Sequence, residues 1–124
     1  MKYLGVDFGM KKIGFAISEG ELSSPLTILH IKNLEDGVNQ IKEVAMHEKA
    51  DKIIIGLPDS GVRKHILKVV KKLKEQFDVE TFEETLSSKD AQKAMIDLGF
   101  GKKKRMEEDA YAAAIILQDY LEKV

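Results

Sequence analysis

The 124-residue chain sets Lys+Arg 20 against Asp+Glu 21, so its global field cannot hold a polyanion and any nucleic-acid partner must be gripped by a local basic patch. Cysteine is absent, which excludes disulfide scaffolds, thiolate zinc sites and cysteine nucleophiles. No apolar run has the length of a signal-peptide core or a membrane span, and the length suits one domain over 1–124, read as a soluble cytoplasmic protein.

In 3–8, Leu4, Val6 and Phe8 alternate with Tyr3, Gly5 and Asp7, the period of a strand with two unlike faces. IGFAIS at 13–18 predicts a second strand, and the intervening 9–12 has hairpin length, so the two are expected to be antiparallel. LTILHI at 26–31, entered through Pro25, predicts a third strand. From Leu34 the period becomes helical, with Leu34, Val38, Ile41 and Ala45 on one face. Ile53, Ile54 and Ile55 form an unbroken β-branched run, which suits a strand covered on both faces and parallel to a neighbour; GLPDSG at 56–61 is expected to end it. A helix is predicted over 62–77 with a lysine-rich outer face, then a short strand over 79–82. Ser87 to Asp90 reads as the cap of a further helix through Leu98, and a last helix is expected over 106–123, its AYAAA stretch small enough to approach a sheet closely. Three strands in a meander followed by crossover units describe an α/β fold: a mixed five-stranded sheet, three strands antiparallel and two parallel, with helices on its faces.

Three acids stand where chemistry is plausible. Asp7 lies in a strand facing helix-covered space, where an ionised carboxylate needs compensation. Turn amides at 9–12 or an ion pair with Lys11 or Lys12 would supply it as well as a metal would. Glu83 and Glu84 come where the last strand ends, the edge at which open sheets of this kind place their sites. Only one of them can share the face of Asp7; Phe82 aligns with Glu84, which leaves Glu83 pointing to solvent on the other side. Asp109 falls in the first turn of the last helix, where the dipole favours negative charge, one turn before Ala112 and Ala113. Three converging carboxylates would repel by on the order of 1–4 kcal/mol per pair at about 4 Å, and a divalent cation would reverse the sign. Hard oxygen donors favour Mg2+ or Mn2+, with two ions suiting phosphodiester hydrolysis. The run Lys102, Lys103, Lys104 and Arg105, directly before the Asp109 helix, is a candidate grip for phosphates, although such runs are commonly just solvated. His30, His47 and His65 have no metal-binding spacing and are read as structural.

These residues carry a resemblance. DFGMKKIGFAIS from Asp7, GLP from Gly56, EETLSS from Glu83 and EDAYAAAIILQDYL from Glu108 resemble, in order, the four motifs of the YqgF/RuvX family of small bacterial proteins. The resemblance implies an RNase H-like fold with the first strand central, and an acidic triad at Asp7, Glu84 and Asp109. It also implies a metal-dependent nuclease acting on structured nucleic acid. Maturation of the 5′ end of the 16S ribosomal RNA precursor is the favoured activity, on RNA alone or in a ribosomal particle. Resolution of four-way DNA junctions by a Holliday junction resolvase, and a nonenzymatic nucleic-acid-binding module, are the alternatives; the oligomeric state, monomer or homodimer, stays open. Lys11 and Lys12 would hold phosphates beside the acids.

The chain departs from the family pattern in three places. Lys12 and Thr85 stand where the family has arginine, and the GLPDSG loop lacks the N-M-D portion that usually follows GLP. DFG also occurs in protein kinases, but no HRD motif accompanies it here, and the hairpin's likeness to actin-like ATPases founders on there being one such unit.

Overall fold

The computed structural model describes residues 1–84 and 108–123, without the side chains of Glu84, Glu108 and Asp109. The elements are β1 (Tyr3–Phe8), β2 (Lys12–Ser18), β3 (Ser23–His30), α1 (Leu34–Glu48), β4 (Lys52–Pro58), α2 (Arg63–Leu73), β5 (Val79–Glu84) and α3 (Glu108–Lys123). They form one sheet of order β3-β2-β1-β4-β5. β1–β2 and β2–β3 are antiparallel, β1–β4 and β4–β5 parallel, as the meander-then-crossover pattern leads one to expect. The helix expected after Ser87 lies outside the described residues.

Four boundaries differ from the sequence reading by two residues or more, each for a physical reason. β3 begins at Ser23 and runs through Pro25, because the strand is at the sheet edge and the register with β2 shifts between Phe15 and Ala16, a bulge that accommodates a residue without an N–H. β4 continues through Gly56 and Leu57 to Pro58, paired with β5 as far as Pro58↔Glu84. Its ladder with β1 stops at Val6↔Ile55, so Pro58 interrupts no bond on that side. β5 accordingly includes both Glu83 and Glu84. α2 stops at Leu73 and gives way to turns in which Glu75 donates to Lys72 O and Gln76 to Leu73 O, while Phe77 still packs on the core.

Alternation along the strands builds two unlike layers. Leu4, Val6 and Phe8 join Ile53, Ile55 and Leu57 beneath the apolar stripes of α1 and α2. Each such side chain, fully buried, contributes about 1.5–3 kcal/mol. α1 is started by a reciprocal cap: the Asn33 side chain accepts from Asp36 N at 2.8 Å, and Asp36 Oδ2 accepts from Lys32 N at 2.9 Å. On the opposite face lies α3, whose Ala113, Ala114, Leu117 and Tyr120 pack with Ala16 and Ile54. The small-residue stretch does permit close approach: a Cβ on Gly5 of β1 would sit 2.8 Å from Leu117 Cβ and 3.0 Å from the Ala113 carbonyl.

The far end of α3 is fixed by polar contacts. Ser23 N donates to Gln118 Oε1 at 2.9 Å, and Ser23 Oγ to the Ala114 carbonyl at 2.5 Å. Tyr120, buried between Tyr3 and Phe82, donates its hydroxyl to Glu80 Oε2 at 2.5 Å, and Lys52 Nζ reaches the same carboxylate at 3.3 Å. The Tyr120 bond, with help from Lys52 and against a smaller opposing effect of burial, holds Glu80 below the usual carboxylate range. A group depressed on folding stabilises above its unfolded pKa and loses that contribution as pH falls through the lower folded value. Tyr120→Phe is therefore expected to cost about 1 kcal/mol at pH 7 and progressively less as the pH falls and Glu80 takes up its proton; thermal melts across the acid range check it. Among the described residues no helix is long and apolar enough to cross a membrane.

Candidate active site

The polarity of the layers decides which end of the sheet can hold a site. α3 sets Tyr120 against Tyr3, and Leu117 and Ala113 against Gly5, so it runs antiparallel to β1. From Gly5 to Asp7 the strand advances about 7 Å, and from residue 113 back to residue 109 the helix retreats about 6 Å. The first turn of α3, with the Asp109 backbone, thus arrives at the level of Asp7, and the positive end of its dipole is directed at that end of the sheet.

Asp7 is half-buried on β1, the central strand, opposite Gly14 of β2. Its alternation with Tyr3 and Gly5 puts it on the α3 face. Position 84 of β5 is in alternation with Glu80, which bonds Tyr120, and with Phe82, which packs on it, so this position belongs to the same face. Between Asp7 and β5 stands Gly56 of β4, in register with Phe82, and it places no side chain in the gap. The backbone therefore brings positions 7, 84 and 109 to one end of one face. Glu83 goes to the other face, as alternation predicts: it is 63% exposed and accepts from Arg63 Nη1 of α2 at 2.8 Å.

The hairpin after Asp7 is tight. Gly9 N donates to the Lys12 carbonyl at 3.0 Å, and a Cβ on Gly9 would stand 2.8 Å from that oxygen, so the turn is closed to any larger residue. It presents Lys11 and Lys12, both exposed, at the Asp7 end; Lys12, two residues before Gly14, is on the α3 face by alternation. Lys102, Lys103, Lys104 and Arg105 lie outside the described residues. No cluster of three or more histidine or acidic side chains able to hold a metal occurs among the described residues, which leave out the side chains of Glu84 and Asp109. Sequence reasoning did not single out Arg63; it turned Glu83 toward solvent, and no local signal marks a partner 20 residues away.

A family model described as "RuvX: Holliday junction resolvase" matches residues 1–123. The chain belongs to the RuvX family. RuvX relatives are similar along the whole chain. A protein of Desulforamulus reducens named "Putative pre-16S rRNA nuclease" is 31% identical over 134 residues, covering 98% of this chain and 97% of its own. A protein of the same name from Clostridium acetobutylicum is 31% identical over 135 residues and covers both chains completely. That alignment is longer than the 124-residue chain, so the relative carries residues with no counterpart here. Among solved structures, the fowlpox virus resolvase in complex with substrate Holliday junction DNA superposes with a TM-score of 0.67 at 12% identity, covering 99% of this chain and 98% of that one. The likeness places this RuvX chain in the RNase H-like fold of the resolvases.

Proposed function

We propose that this RuvX-family chain is a metal-dependent nuclease that hydrolyses phosphodiester bonds in structured RNA, processing the 5′ end of the 16S ribosomal RNA precursor in the cytoplasm. The observation that carries the reading is the meeting of three acidic positions, 7, 84 and 109, at one end of the α3 face. The relatives' name, held over the full length of this chain, supports the substrate.

The donor set suits a hard divalent ion. Oxygen donors from Asp7, Glu84 and Asp109, beside the positive end of α3, would hold Mg2+ or Mn2+, in our reading two ions. Such an ion supplies Lewis acidity and lowers the pKa of bound water. The chain does the positioning. Asp7 is held on the most central strand, Gly56 leaves space between β1 and β5, and α3 is locked by Gly5 on one side and by the Ser23 and Tyr120 bonds at its far end. Lys12, on the same face, and Lys11 would hold the substrate's phosphates, as would Lys102, Lys103, Lys104 and Arg105 ahead of α3. The whole of 1–124 acts as one domain in this scheme.

Junction resolution is the second reading, favoured by the family description and by the solved neighbour with junction DNA. Cleavage of a precursor ribosomal RNA fragment and of a four-way DNA junction, each with Mg2+, with Mn2+ and with a chelator, tests both. Metal-dependent cleavage of the RNA alone is expected. Cleavage of the junction alone would transfer the assignment to the second reading, and cleavage of neither by the chain or by the chain with ribosomal particles would overturn both.

A further inference from the structure

The outer face of α2 is built against its own stability. The stretch 63–74 holds Arg63, Lys64, Lys68, Lys71, Lys72 and Lys74 and no acid, in a chain whose net charge is −1. Lysines in the last turn suit the helix dipole, which accounts for Lys71 and Lys72. It does not account for the start. α1 places Glu35 and Asp36 in its first turn, whereas α2 has no acid there and no side-chain cap. Arg63 is answered by Glu83, but Lys64, exposed in the same turn, opposes the dipole.

The spacing compounds this. Lys64, Lys68 and Lys72 stand four residues apart, about 6 Å of rise each, so each faces a like charge on the next turn, an arrangement that destabilises a helix. All three are exposed, and among the described residues none of them makes an ion pair. Glu35 and Glu75 lie nearby, bordering the depressions that Lys68 and Lys72 line, and neither is within ion-pair distance of them. Along this stripe, then, no ion pair among the described residues offsets the like-charge repulsion.

Topology places the stripe beside the candidate site. β4 ends at the sheet edge that carries the candidate active site, and α2 runs back from there; the Arg63–Glu83 pair joins its first residue to the strand position next to Glu84. The lysine stripe starts at the rim of the site and descends the opposite face of the sheet. We propose that this stripe, Lys64, Lys68 and Lys72, is a second phosphate-binding track, which grips the backbone of a long structured RNA where it passes over the strand ends from the active site. The inference rests on the nuclease reading above. A polyanion fits it, because phosphates repeated along a backbone relieve the repulsion and the unfavourable dipole contact at once.

The test uses the full chain and a triple variant, Lys64→Gln/Lys68→Gln/Lys72→Gln, with a precursor ribosomal RNA fragment in a long form and in a form trimmed close to the cleavage site. A melt confirms that the variant folds, as changes at exposed positions allow. For the long RNA the variant should bind roughly tenfold more weakly at moderate salt, and the slope of log affinity against log salt should shrink by about 2, since each phosphate contact contributes about 0.7–0.9. Cleavage of the trimmed RNA should be unchanged. Equal affinity and salt slope for variant and wild type would overturn the track and leave the nuclease reading standing. Equal loss on both RNAs would also overturn it, placing the lysines in the catalytic site. Failure of the wild type to bind either RNA would overturn the nuclease reading first, and the track with it.

Discussion

Asp7→Asn should abolish cleavage and leave the fold intact. Asparagine keeps the size of the side chain and one oxygen acceptor but removes the charge that would anchor a divalent ion on the central strand. A bound metal supplies several kcal/mol of charge stabilisation to the reacting phosphate, and each 1.36 kcal/mol is tenfold in rate, so a loss of about a thousandfold or more is expected. The measurement is a single-turnover rate with Mg2+ and with Mn2+, alongside a melt. The competing account holds that Asp7 serves the hairpin, paired with a lysine or with turn amides. On that account the variant would melt lower and cleave at the wild-type rate per folded molecule. A stable and inactive variant supports the active-site role, and an unstable but active one refutes it.

Much of this architecture was legible because its signals are local. The unlike faces of Tyr3–Phe8 follow from period-two alternation, and the same rule separates Glu83 from position 84, as the Arg63 contact bears out. The AYAAA stretch announced a close helix, and Gly5 is where that closeness is realised. What could not be read depends on pairing between distant segments. β4 extends through Gly56 to Pro58 only because β5 is there to pair with it, and Pro25 is tolerated in β3 because that strand is at the edge beside a bulge. The run IIIG contains neither fact. α2 illustrates the reverse case: its apolar period continues to Phe77, yet the backbone leaves the helix after Leu73 while Phe77 keeps its place on the core. Periodicity reports which side chains are buried, and a turn can bury one as well as a helix can. For the candidate site, the face and level of positions 7, 84 and 109 follow from alternation and helix direction, whereas the assignment of metal and substrate rests on chemistry and on the family.

Gly5 allows the link between packing and chemistry to be tested apart from the acids. A methyl group there meets Leu117 Cβ at 2.8 Å and the Ala113 carbonyl at 3.0 Å, and a backbone carbonyl in a helix cannot swing aside, so α3 itself must move outward. Gly5→Val is expected not to fold at 37 °C. Gly5→Ala should fold with a loss of about 1–3 kcal/mol, the usual range for overpacking, read as a melting point lower by several degrees. Cleavage should fall further than that loss explains, by roughly 10- to 100-fold in the folded protein, because α3 carries position 109, the third acid proposed for the site, and a shift approaching 1 Å at a catalytic group has such an effect. Gly37→Ala is the matched control. Its Cβ would crowd Phe8 Cε2 at 2.9 Å and Ile31 Cδ1 at 3.2 Å, on the opposite face of the sheet, and both are side-chain atoms that can give way. It should alter stability by a modest amount and cleavage hardly at all. If the two variants reduce cleavage equally once corrected for folded fraction, then the distance of α3 from β1 does not set the geometry of the site, and position 109 does not act in it.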